Sequence, residues 1–203
     1  MKIKNLKNSK KAILGLHGWT GDKTSLEPII KLFNLPNTKW ICLQGPYRVK
    51  QNGYSWFEGN DNEGWKYKKS FNKLNKCIKD LIKQDYQHNQ IYILGFSQGA
   101  CLAMEFMIRQ PYSLGGIIPI AGFIKYKDRF VKDNNIKSKN TLVLLLHGNK
   151  DNIISPKESK IAYKFFKNLD YKTQLYLLPA KHKIPLQSKS IILNQIYNIK
   201  INK

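Results

Sequence analysis

Ser97 lies in Gly95-Phe96-Ser97-Gln98-Gly99-Ala100, a setting that can turn a weakly nucleophilic hydroxyl into a reactive one. The apolar run Gln90 to Leu94 leads in, and Cys101-Leu102-Ala103-Met104 continues as helix. Strand, sharp turn and helix are the context that a G-x-S-x-G elbow requires. Side chains at 95 and 99 would collide with the neighbouring strand and helix, which accounts for both glycines. The turn forces Ser97 into a strained backbone conformation and presents its hydroxyl at a helix N-terminus, where developing negative charge is favoured.

Such a serine needs a base, and the chain has four histidines, His17, His88, His147 and His182. His17 and His147 each precede a glycine at the end of an apolar strand, and His88 lies in the polar loop Asp85 to Asn89. Elbows of this type have the acid and the base downstream of the serine, in that order. His147 precedes any suitable acid and reads as a structural group that orders the acid loop. His182, after Leu177-Leu178-Pro179-Ala180-Lys181, is the expected base. Asp151 directly follows the strand Thr141 to His147, whereas Asp128, Asp133 and Asp170 lie in other connections. It is expected to accept the His182 ring N–H and fix the tautomer. The oxyanion donors are expected to be the Gln98 N–H and one from Leu16-His17-Gly18-Trp19-Thr20-Gly21-Asp22, with Trp19 favoured over Thr20. A further loop, Gln44 to Glu58, is dense in glycines and aromatics. It either packs on itself or, through Trp56 and Phe57 with Trp19 and Phe123, walls an apolar acyl pocket.

These residues must be positioned by the elements between them. Strands are expected at Lys11 to Leu16, Lys39 to Leu43, Gln90 to Leu94, Gly116 to Ala121, Thr141 to His147 and Thr173 to Leu178. Most are short, nearly continuous apolar runs, as in a parallel sheet covered on both faces. Phe71, Leu74, Ile78, Leu81 and Ile82 form one stripe of a helix over about Lys69 to Gln84. Ser155-Pro156-Lys157-Glu158 reads as an N-cap with a capping box. Further helices are expected at Ser25 to Phe33, Gln98 to Arg109 and Pro185 to Lys200. Alternating strands and helices imply a three-layer α/β fold with a mainly parallel sheet of about six to seven strands, and a single domain over residues 1–203. Its working loops lie beyond the carboxyl ends of the strands.

At 203 residues the chain can bury a substantial core without disulfides or metals. Its formal net charge of +22 suggests an anionic partner, yet Arg48, Arg109 and Arg129 are the only arginines and the lysines are spread from Lys2 to Lys203. That pattern fits a solvated surface better than nucleic-acid readout, leaving a weak association with anionic membrane surfaces as the charge-directed expectation. The basic start, Met1 to Lys11, is followed by too short an apolar run for a secretory segment. Cys42, Cys77 and Cys101 share no CxxC spacing and fit a reducing cytoplasm.

Taken together, Leu16-His17-Gly18 with Gly21-Asp22, Gln44-Gly45-Pro46 leading to Trp56-Phe57, the Gly95 to Ala100 elbow, His147-Gly148 with Asp151, and His182 resemble the phospholipase/carboxylesterase family of α/β-hydrolases, which includes acyl-protein thioesterases. The resemblance implies a cofactor-independent serine hydrolase acting on carboxylic esters, lysophospholipids or acyl thioesters. It implies small-molecule or lipid ester substrates, a triad of Ser97, Asp151 and His182, and oxyanion donors at Trp19 and Gln98. Compared with the family pattern, the loop after Gly18 is one residue longer before its Gly-Asp, and Glu58 replaces the usual Asp after Trp-Phe.

Overall fold

The computed structural model describes residues 10–49, 52–60, 62 and 64–199. Most of the basic N-terminal stretch, and Lys200 at the end of the last expected helix, lie outside them. In chain order the elements are β1 (Lys11–Leu16), α1 (Glu27–Phe33), β2 (Thr38–Leu43), β3 (Tyr47–Arg48), β4 (Tyr54–Ser55), β5 (Glu58–Asn60), β6 (Gly64–Lys66), α2 (Lys68–Ile82), β7 (Ile91–Phe96), α3 (Gln98–Ile108), β8 (Gly116–Ile120), α4 (Lys127–Phe130), β9 (Leu142–Gly148), α5 (Pro156–Asn168), β10 (Thr173–Leu178) and α6 (Ser188–Tyr197).

Six strands form one parallel sheet in the order β10-β9-β8-β7-β1-β2. Leu16, the last residue of β1, is opposite Leu43 of β2 on one side and Gly95 of β7 on the other. The chain order therefore reverses at β1, and a crevice beyond the carboxyl ends of β1 and β7 is the natural place for a site. Side-chain alternation along β1 divides the core. Ala12, Leu14 and Leu16 join the cluster that takes in Leu74, Ile78 and Leu81 of α2, while Ile13 joins that of Phe33 and Ile192 on α1 and α6. Each large apolar side chain so buried contributes roughly 2 kcal/mol. The sheet is thus covered on both faces, which explains the continuous apolar strands.

Two short antiparallel pairs, β3–β4 and β5–β6, sit between β2 and α2 and carry the Trp56-Phe57 loop. The Ser155 hydroxyl caps α5 at Lys157 N, but Glu158 does not complete a capping box. Its carboxylate pairs instead with Lys127 of α4 at 2.9 Å. Among the described residues no helix is long and apolar enough to cross a membrane.

A buried ionic network fixes the segment after β8. Glu105 on α3 is fully buried, accepts the Tyr126 N–H at 2.9 Å and pairs with Arg109 at 2.7 Å. Arg109 also holds Asp133 at 2.7 Å. Removing one partner of such a pair strands the other charge, at a cost of about 3–5 kcal/mol. Glu105→Ala should therefore lose at least about 3 kcal/mol in urea unfolding; a loss below about 1 kcal/mol would show that the network is dispensable.

Candidate active site

At the end of β7, Ser97 adopts φ 53° and ψ −115°, and α3 begins at the next residue. Its N–H is held by Ile120 O at 2.9 Å, and its own carbonyl accepts from Ala100 N and Cys101 N. A Cβ on Gly95 would lie 2.3 Å from Gly99 O, and one on Gly99 would lie 2.3 Å from Leu16 O. The expected collisions with helix and strand are therefore both present. Without side chains at these positions, the start of α3 lies directly against the end of β1.

His182 Nε2 is 3.1 Å from Ser97 Oγ, and His182 Nδ1 is 2.7 Å from Asp151 Oδ2. An ionised carboxylate can only accept, so the ring carries its proton on Nδ1 and faces the hydroxyl with the lone pair of Nε2. Asp151 Oδ1 accepts the N–H groups of Ile153 and Ile154, each at 2.9 Å. Burial pushes the Asp151 pKa up, but the hydrogen bonds from His182, Ile154 and Ile153 outweigh it and hold the carboxyl below its ordinary value.

His147 sits beneath this pair as the structural group expected from the sequence. Its Nε2 faces both Ile154 O at 2.9 Å and Asp151 Oδ2 at 3.2 Å. Both are acceptors, so Nε2 is the protonated nitrogen and Nδ1 accepts the Ser159 hydroxyl at 2.6 Å. Gly148 then lets the acid loop approach the base loop, because a Cβ there would lie 2.3 Å from Ala180 O. Asn149 N to Leu178 O and Lys150 N to Ala180 O join the two loops.

The loop after β1 distinguishes the two possible oxyanion donors. Thr20 N is already bonded to Tyr54 O at 3.1 Å, and Gly21 O accepts Tyr54 N at 3.0 Å. Trp19 N has no hydrogen-bond partner among the described residues, and neither has Gln98 N. Gly53, at φ 109°, is required for this clamp, since a Cβ would fall 1.9 Å from Thr20 O. From below, His17 bridges two loops: Nδ1 donates to Gly18 O at 2.6 Å and Nε2 accepts Gly45 N at 2.9 Å. Burial lowers the His17 pKa, which favours the neutral ring that can both donate and accept.

The aromatic loop differs in part from expectation. Trp56 is 0% exposed and cannot wall a pocket. Its ring packs 4.8 Å from His17, and Nε1 donates to His17 O. Gln98 Oε1 accepts Trp56 N at 2.9 Å, which ties this loop to the elbow. Phe57 does line a cleft of about 510 Å³ on the Gln98 side, together with Tyr47, Trp65, Arg48 and Glu58. Phe123 is not part of it and borders a separate recess formed by residues 123–129, because the turn after β8 carries it toward α4. A second cleft of about 500 Å³ opens on the His182 side, and Trp19, 55% exposed, borders both. Trp65 of β6 and Ile29 of α1 were not foreseen as lining residues, since neither belongs to a local motif.

A nucleophile elbow and a Ser-His-Asp array at the carboxyl edge of a parallel, two-sided sheet define the α/β-hydrolase class. The chain belongs to the Phospholipase/Carboxylesterase family, whose model matches residues 3–200. It is 34% identical over 180 residues to Kluyveromyces lactis acyl-protein thioesterase 1, covering 78% of this chain and 77% of that protein. A match at 29% identity to an uncharacterized hydrolase of Schizosaccharomyces pombe covers 54% of this chain, which thus spans about half the length of that relative (52%). In fold it is similar to the crystal structure of Arabidopsis thaliana SOBER1, with a TM-score of 0.81 at 21% identity over 93% of this chain and 98% of that one.

The lowered Asp151 pKa has a measurable sign. Its contribution to stability is complete above the unfolded value of about 3.9 and is lost as pH falls through the folded value. Urea unfolding between about pH 5 and pH 2 should lose stability more steeply for the native chain than for Asp151→Asn. Equal slopes would mean that the carboxylate is not held by these donors.

Proposed function

We propose that this chain is a serine hydrolase of carboxylic esters, working through Ser97, His182 and Asp151 and an acyl-enzyme intermediate. The observation that carries the reading is the continuous hydrogen-bonded line from Ser97 Oγ through both nitrogens of His182 to Asp151. Ser97 Oγ attacks the acyl carbon as its proton passes to His182 Nε2. Asp151 holds the ring and stabilises the imidazolium without taking the proton. The carbonyl oxygen, now anionic, accepts the N–H groups of Gln98 and Trp19, each worth about 3 kcal/mol in the transition state. Collapse breaks the bond to the leaving heteroatom, which takes the proton from His182. Water then repeats the sequence and releases the acid. The acyl group is assigned to the Gln98-side cleft, where Phe57 and Trp65 supply apolar surface.

The same steps cleave an acyl thioester, and the acyl-protein thioesterase 1 relative supports that substrate class equally. A catalytically silent scaffold that binds anionic lipid or nucleic acid is the contrasting reading. It has no use for two unoccupied N–H donors beside an activated hydroxyl.

Ser97→Ala should lower turnover of a short chromogenic ester by about 10⁴-fold or more with the fold intact by circular dichroism, and Asp151→Asn by about 10⁴-fold. A fluorophosphonate probe should label the native protein at Ser97. An unlabelled Ser97, or full activity in Ser97→Ala, would refute the assignment.

A further inference from the structure

The cleft lined by His182 and the cleft lined by Gln98 differ in charge, and the proton path says which part of the substrate each receives. On the esterase reading above, on which this inference rests, the bond from the acyl carbon to oxygen or sulfur breaks as that heteroatom takes the proton from His182 Nε2. Proton transfer of this kind needs the two heavy atoms within about 2.6–3.2 Å. The leaving atom must therefore lie against His182, and whatever is attached to it continues into the cleft that His182 lines. That cleft holds about 500 Å³, room for an aryl or short alkyl group. Its walls include the apolar side chains of Leu26, Ile29, Phe96 and Ile184.

Lys183 is the one residue with a full-charge side chain among those lining this cleft, and it is exposed. No acidic side chain lines it. Of the two acids adjacent in sequence to its lining, Asp22 has its Oδ1 engaged by the N–H and hydroxyl groups of Thr24 and Ser25, and Glu27 is exposed at the start of α1. The cleft on the Gln98 side, by contrast, carries one charge of each sign, Arg48 and Glu58. Among the residues lining the clefts, the His182 side thus carries an unbalanced positive charge and the Gln98 side does not.

We propose that the His182-side cleft is a leaving-group subsite, and that it selects apolar alcohols or thiols bearing an anionic group at their far end. The apolar walls take the body of the leaving group, and the Lys183 ammonium meets its anionic terminus. A quaternary ammonium at the same position is disfavoured by the like charge.

The test uses three esters that share one short acyl group and one aryl alcohol. Each ends, beyond a propylene spacer that brings the leaving-group pKa values close together, in a carboxylate, a carboxamide or a trimethylammonium. The expected order of kcat/KM is carboxylate above carboxamide above trimethylammonium, with steps of about threefold that shrink as salt is raised. Lys183→Glu should reverse the order. Lys76→Glu, an equal change of net charge on the outer face of α2, should leave it intact. Moving the charged group to the acyl portion should remove most of the preference. Equal rates for the three esters, an order unchanged in Lys183→Glu, or the same reversal in Lys76→Glu would each overturn the proposal. Ser97→Ala keeps the two readings apart. Undiminished hydrolysis in that variant defeats the esterase assignment itself, whereas its inactivity alongside equal native rates for the three esters defeats only the leaving-group assignment.

Discussion

The contact between the start of α3 and the end of β1 governs the site. Gly99 lies so close to the Leu16 and His17 carbonyls that any side chain there would enter the β1 backbone. This closeness brings Ser97 next to the loop after β1, where a Cβ on Gly18 would lie 3.5 Å from Ser97 Cβ. It also requires the chain to turn between Phe96 and Gln98 with Ser97 at positive φ, a conformation that costs about 1–3 kcal/mol for a side-chain-bearing residue. The surroundings offset that cost. The Ser97 N–H bonds Ile120 O, and the α3 residues from Gly99 to Ile108 are all buried.

Around this fixed point, three loops are tied down by groups that each serve two partners. His17 joins Gly18 to Gly45, Tyr54 joins Thr20 to Gly21, and the Gln98 side chain joins the elbow to Trp56 and Ser55. The consequence for chemistry is subtractive. Tyr54 consumes the Thr20 N–H, which leaves the Trp19 N–H as the donor that the proposed mechanism assigns to the oxyanion together with that of Gln98.

Much of this could be read from the sequence, and the reasons are local. Strands buried on both faces are continuous apolar runs, so the six strands of the main sheet were visible to within a residue or two at each end. The elbow is a contiguous motif, and Asp151 and His182 each follow an apolar strand closely. What escaped depends on which way a side chain turns or on a partner far along the chain. Trp56 and Phe57 are adjacent and equally aromatic, yet one is sealed under His17 and the other faces a cleft. Glu158 stands at a capping-box position but meets Lys127, some thirty residues earlier, before it can reach back to Ser155. The sequence favours Trp19 over Thr20, but the bond from Thr20 N to Tyr54 O that supports this choice was out of reach, since no spacing rule connects Tyr54 to that loop.

The charge of the chain acquires a sharper meaning from its buried members. Against a formal +22, the carboxylates buried among the described residues are Glu105 and Asp151, and neither is paired with a lysine. Glu105 is held by Arg109 and a backbone N–H, and Asp151 by two histidines and two backbone N–H groups. Planar, directional donors suit a buried carboxylate better than a strongly hydrated ammonium on a flexible stem. The lysines can therefore stay in water and be numerous without disturbing the triad. One of them, Lys183, borders the otherwise apolar cleft on the His182 side. Net charge and local charge are in this way separable, and the dispersed lysine surface is compatible with a hydrogen-bonded line from Ser97 through His182 to Asp151 that involves no lysine or arginine.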